Sequence, residues 1–197
     1  MRLLRAASAM PARYRVRLPV LTWLAETPAP PSRPPEAIPA RYDRRGKAMT
    51  MNPALTALQF LAGLWDMELS EAAFLPEPGT KVRGSVTVEW VEQGAALAMR
   101  MGDAATPTAT WIIGRDDSGP DYHVLYADDR GVSRVYQMSL SDRTWRIWRD
   151  TPGFSQRFEA EVSPGHEEIT GTWQKSSDHG KTWEHDFKVR YSRPVSP

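Results

Sequence analysis

The sequence predicts an all-β chain in which ten antiparallel strands close into an up-and-down barrel, opened by one short helix and preceded by a disordered Pro/Arg-rich segment. Three observations predict it. After the helix, apolar and polar residues alternate with period two, the signature of half-buried strands. The joints between these stretches, such as PEPG, EQG, DDSGP, DDRG, TPG, SPG and SDHG, carry turn chemistry and are short enough for hairpins. No long helical pattern alternates with the strands, so the crossovers that a parallel sheet needs are missing. Ten antiparallel strands most simply close on themselves, because closure removes the unpaired edges.

Residues 1–50 are read as a separate, disordered segment. They hold nine Arg and Lys47 against Glu26, Glu36 and Asp43, a net +7 that leaves −6 for residues 51–197. Eight of the 17 prolines fall here, several in TPAPPSRPPEAIP, which favours extended, solvated chain. Its apolar runs are too short to span a membrane. Met49 and Met51 directly precede the first amphipathic pattern, so an over-extended gene start explains the segment as readily as an Arg-rich presequence does. The barrel domain is placed at residues 51–197.

The helix is predicted over NPALTALQFLAGLW, with Asn52 as N-cap, Pro53 in the first turn, an apolar stripe at Leu55, Leu58, Phe60 and Leu61, and Gly63 as the stop. Strands follow at about 64–74, 80–91, 95–102, 108–115, 121–127, 132–140, 144–149, 154–162, 167–175 and 182–192. In the second, Val82, Val86, Val88 and Trp90 alternate with Lys81, Arg83, Thr87 and Glu89. In the third, Leu97, Met99 and Met101 alternate with Ala96, Ala98 and Arg100.

Composition excludes several classes of function. The 25 basic and 24 acidic side chains leave a net +1, so no global field attracts nucleic acid or anionic lipid. Without cysteine there is no disulfide, thiol catalysis or thiolate metal site; this suits a reducing cytoplasm, where the chain is placed, as well as a cysteine-poor exported protein. Nucleophile elbow, P-loop, H-E-x-x-H and dinucleotide-loop motifs are missing. No catalytic residue and no metal site are assigned.

LAGLWDMELSEA resembles the G-x-W opening of calycin barrels, with Gly63 and Trp65 following a helix that plugs one end. With VEWVEQGAALAMR, IIGRDDSGPDYHVLYADDRG and the closing W..DF.V.Y.R, the chain is similar over roughly residues 54–194 to bacterial calycin-like domains of the domain-of-unknown-function 1579 group. Nitrobindins and fatty-acid-binding proteins share this ten-strand architecture, so the resemblance implies a cavity for a small apolar ligand. It also implies that Trp65 packs under a basic side chain of the last strand, a place open to Arg190 or Arg193. Aligning Val189, Arg190 and Tyr191 with the nitrobindin strand puts Asp186, not His185, at the position of the haem ligand. The carboxylate-gripping R-x-Y pair of fatty-acid-binding proteins has no counterpart.

SSDHGKTWEH resembles a single Asp-box of sialidase-type propellers, and is read as a hairpin in which Asp178 bonds backbone amides, Gly180 takes positive φ and Trp183 covers the turn. On the strand that follows, strict alternation puts Trp183, His185, Phe187, Val189 and Tyr191 on the inner face. The same parity turns Arg134 inward with Tyr136, Arg149 with Trp145 and Ile147, and Gln156 with Phe154 and Phe158. Trp90, Met99, Tyr136, Phe158, Trp183 and His185 are expected to line the cavity, with Arg134, Arg149 and Gln156 orienting a ligand carboxylate or enolate. The function expected is binding of a small, largely apolar, lipid-like or aromatic molecule. Two alternatives stand beside it: a haem-binding protein or enzyme with His185 as ligand or general base, and an interaction domain acting through the barrel rim.

Overall fold

A computed structural model describes residues 52–195, apart from positions 76, 78, 104 and 117. The segment read as disordered over residues 1–50 lies outside the described residues. Ten strands run in chain order: β1 Gly63–Ser70, β2 Val82–Val91, β3 Ala96–Gly102, β4 Pro107–Arg115, β5 Tyr122–Asp128, β6 Ser133–Ser141, β7 Thr144–Arg149, β8 Ser155–Val162, β9 Glu168–Ser176 and β10 Glu184–Ser192. Each pairs antiparallel with its neighbours in sequence, and β1 pairs with β10, closing the barrel. The all-β, ten-stranded, up-and-down barrel expected from the alternation is the fold. The first strand stops short of its expected end because Glu71 takes φ +53° and leaves the sheet.

The opening helix, Pro53–Leu61, is a 3₁₀ helix. Asn52 caps it by accepting from the Ala54 N–H at 3.0 Å, and the three-residue spacing of Leu55, Leu58 and Leu61 brings all three to one buried face. Tyr122 ties the helix to the barrel end by donating to the Ala54 carbonyl at 3.0 Å. Strand ends near Gly63, Val91, Arg115 and Glu168 lie at this closed end. The opposite end, near Ser70, Gly102, Asp128, Arg149 and Ser176, is here called the open end.

The interior is packed with large side chains rather than hollow. Phe158 and Trp173 stack with centroids 4.9 Å apart, Trp173 stacks on Phe187 at 5.9 Å, and Trp111 and Tyr136 meet Trp173 edge to face. Gly171 makes this possible: a Cβ there would overlap the Phe158 ring and lie 2.6 Å from the Ala160 Cβ. Toward the closed end, the gap between Leu61, Trp65, Val88, Met99, Trp145, Ile169 and Tyr191 is too narrow for a water molecule. Burial pushes the Tyr191 hydroxyl pKa up from its ordinary value, in keeping with a dry interior.

The outer face has two characters. Cross-strand ion pairs join Glu68 to Arg83, Glu89 to Arg100, Glu159 to Arg146 and Glu168 to Arg190. The outward positions of β4, β5 and β6 hold no Asp, Glu, Lys or Arg.

Candidate functional site

The interior polar groups gather at the open end, on strands β6 to β10. Tyr136, Gln156 and Asp186 are buried. The Tyr136 hydroxyl donates to Gln156 Oε1 at 2.8 Å, and Gln156 Nε2 donates to Asp186 Oδ2 at 2.9 Å. The chemistry of the partners orients the chain. An ionised carboxylate only accepts, so the amide NH₂ of Gln156 faces Asp186 and its carbonyl faces Tyr136. The Tyr136 proton is thereby committed to Gln156, and its oxygen is left as an acceptor for Arg134 Nη1 at 3.5 Å. Lys175 Nζ stands 3.5 Å from the other oxygen of Asp186, which gives the buried carboxylate a counter-charge.

Above this chain lie three half-buried cations, Arg134, Arg149 and Lys175. The Arg134 guanidinium sits 4.5 Å over the Phe154 ring and that of Arg149 5.8 Å from the Tyr136 centroid. Aromatic faces hold these two groups in place without using their N–H donors. Arg149 Nη2 donates to Thr151 Oγ1 at 2.8 Å, whereas its Nε is buried with no partner. The indole N–H of Trp111, on the wall of the same half of the barrel, is likewise buried without an acceptor. Beside it, burial and the neighbouring Asp128 raise the pKa of Tyr126, which donates to Asp128 at 2.8 Å and so remains a neutral phenol. Asp128 is itself paired with Arg130. The arrangement offers positive charge and free donors at the end of an aromatic wall, a match for the oxygens of a flat anion.

Several expectations are met. Tyr136, Gln156, Phe158 and Met99 are buried, on the inner face, and Arg134 and Arg149 project inward at the rim. Trp90 is also on the inner face, half-buried near the closed end and remote from the polar chain. Two expectations are corrected. His185 and Trp183 do not line the interior. A β-bulge between His185 and Phe187 leaves Asp186 without a partner on β9, so His185 lies opposite Gln174 and Phe187 opposite Trp173. Below the bulge the expected parity holds, and above it the parity reverses. His185 is exposed, with Nε2 2.9 Å from the Glu71 carbonyl oxygen. Trp183 packs outside, under the Arg157 guanidinium at 4.2 Å. Asp186, expected outside, takes the inner position.

At the closed end, the place over Trp65 that stood open to Arg190 or Arg193 goes to one of the two. Arg190 points outward to Glu168 at 2.6 Å. Arg193 is the cation over Trp65, 3.8 Å from its centroid, and it donates to the carbonyls of Phe60, Ala62 and Leu64. Gly63, at φ +113°, leaves room for it, since a Cβ there would lie 2.9 Å from Arg193 Nη1. The Asp-box is a hairpin, as expected. Asp178 accepts from the Thr182 N–H and hydroxyl and from Ser176, which together hold its pKa well below the ordinary value, and Gly180 takes φ +75° beside the Trp183 ring.

A haem held by histidine does not fit these residues. His123, His166, His179 and His185 are all exposed, and the interior that a macrocycle would enter is filled by Trp111, Phe158 and Trp173. Among the described residues no three His, Asp or Glu converge as metal ligands, and no helix is long and apolar enough to cross a membrane.

No protein-family model and no curated protein matches this chain. Among solved structures, the crystal structure of Rv2717c from M. tuberculosis is similar to it, with a TM-score of 0.49 and 12% identity, covering 74% of this chain and 100% of that one.

Proposed function

We propose that the barrel binds a small, flat, largely apolar molecule carrying an anionic group, such as an aromatic carboxylate, at its open end. The observation that carries this reading is the pair of guanidinia, Arg134 and Arg149, held on aromatic faces at the rim with donors unused, including the buried Arg149 Nε. The carboxylate would meet Arg134, Arg149 and Lys175. The ring would lie against Trp111, Tyr126 and Tyr136, with Trp111 Nε1 free to donate to a ring oxygen. The Tyr136–Gln156–Asp186 chain fixes the floor and repels a second anion from deeper in the barrel. Depth is limited by the stacked Phe158 and Trp173, which favours a short aromatic acid over a long acyl chain.

The test is a tryptophan-fluorescence titration with 2-naphthoate, its neutral amide and laurate. Saturable one-to-one binding of naphthoate is expected, weakened about tenfold or more by Arg149→Ala or by the amide, as for loss of a charged hydrogen bond of about 1.5–3 kcal/mol. Equal binding of naphthoate and its amide, tighter binding of laurate, or no binding of any of the three would contradict the proposal.

A further inference from the structure

We propose that the uncharged outer face of β4, β5 and β6 is the two-fold interface of a homodimer. Ile112, Leu125 and Val135 stand opposite one another on these three neighbouring strands. They are 37%, 49% and 61% exposed, a contiguous aliphatic row facing water. The positions around them, from Thr108 and Thr110 to Gln137 and Ser139, carry no formal charge apart from the ionisable His123. Four other strand pairs of the same barrel are bridged on the outside by ion pairs. The depletion of charge is local to this face, and charge depletion is what marks the core of an interface.

The occupant follows from charge and symmetry. A charged partner surface would lose hydration here and meet no opposite charge, so the complement is another uncharged face. Among the described strands this face is the one that qualifies. Its row is also self-complementary. A two-fold axis lying in the plane of the interface, along β5 and over Leu125, sets Leu125 on the partner subunit's Leu125 and exchanges Ile112 with Val135, so every apolar side chain meets another. Over its three strands, β4 to β6, the face is about 14 Å wide and about 23 Å long at ordinary strand spacing and rise. That supplies the core of an interface of about 800 Å² per partner.

The chain has no cysteine, so single thiols can be introduced without background. Leu125→Cys is expected to cross-link as a dimer with a short bis-maleimide. An equal mixture of Ile112→Cys and Val135→Cys should cross-link more efficiently than either alone, and Thr170→Cys, on the opposite outer face, should not. Sedimentation equilibrium of the full chain should show a dimer that Leu125→Arg weakens at least tenfold with an unchanged circular dichroism spectrum. A chain that stays monomeric up to about 100 µM overturns the proposal, as does a dimer that Leu125→Arg leaves intact. A monomer that binds neutral phosphatidylcholine vesicles through Leu125 overturns it in favour of a lipid surface.

Discussion

Each end of the barrel holds arginine over an aromatic ring, and the two ends use it differently. At the closed end Arg193 lies on Trp65 and gives its donors to three carbonyls around the end of the 3₁₀ helix, while the Trp65 indole donates to Leu61 at 2.8 Å. Two of these carbonyls, those of Phe60 and Ala62, close the helix without a partner inside it, and the guanidinium supplies one. At the open end Arg134 and Arg149 lie on Phe154 and Tyr136, but each makes one side-chain hydrogen bond. The difference separates a cation that fastens the fold from cations held ready for something else. Burial alone would not have distinguished them, since all three arginines are half-buried.

If the closed end is the fastening, its loss should dominate stability. Trp65→Ala is expected to lower unfolding free energy by about 3–5 kcal/mol in urea denaturation, because it empties an aromatic core site and frees Arg193 from its platform. A cost below about 1 kcal/mol would break the comparison. At the open end, Gln156→Ala should cost a smaller 1–3 kcal/mol or so, since it leaves the Tyr136 hydroxyl and the Asp186 carboxylate without their shared partner. Arg149→Ala should leave the midpoint nearly unchanged while weakening naphthoate binding.

Outside the barrel the effects should be smaller. Asp178 has a depressed folded pKa, so its contribution is present above the ordinary Asp value of about 3.9 and is lost as pH falls through the lower folded value. Asp178→Asn should therefore flatten the acid limb of the stability profile below about pH 4, as read by thermal melts across pH. His185→Ala, at an exposed site, should change stability by less than about 0.5 kcal/mol and leave binding as it was. A loss of binding in that variant would return His185 to the interior.

Much of this was legible in the residues. Alternation and turn chemistry located all ten strands, and parity alone turned Arg134, Tyr136, Arg149 and Gln156 inward. What escaped was the bulge at Asp186. A bulge adds one residue without altering composition or period on either side of it, so strict alternation carried His185 and Trp183 to the wrong face and hid Asp186. The one sequence signal for Asp186 was its place in the nitrobindin-like alignment. Lys175, Trp173 and Trp111 follow from the same parity applied to β9 and β4. Their convergence with β6, β8 and β10 depends on barrel closure and register, which no single strand encodes. Arg193 was named beside Arg190 for the place over Trp65, although it lies just past the last strand, where parity assigns no face.

The most direct test of the contrast between the two ends is the set of indole N–H signals in a ¹H–¹⁵N NMR titration with 2-naphthoate, assigned by Trp→Phe variants. Trp111, with its buried and unpartnered N–H on the open-end wall, and its neighbour Trp173 are predicted to shift with saturation, while Trp65, already bonded to Leu61, stays in place. Movement of Trp65 with Trp111 and Trp173 unmoved would contradict the account and put the binding site at the closed end.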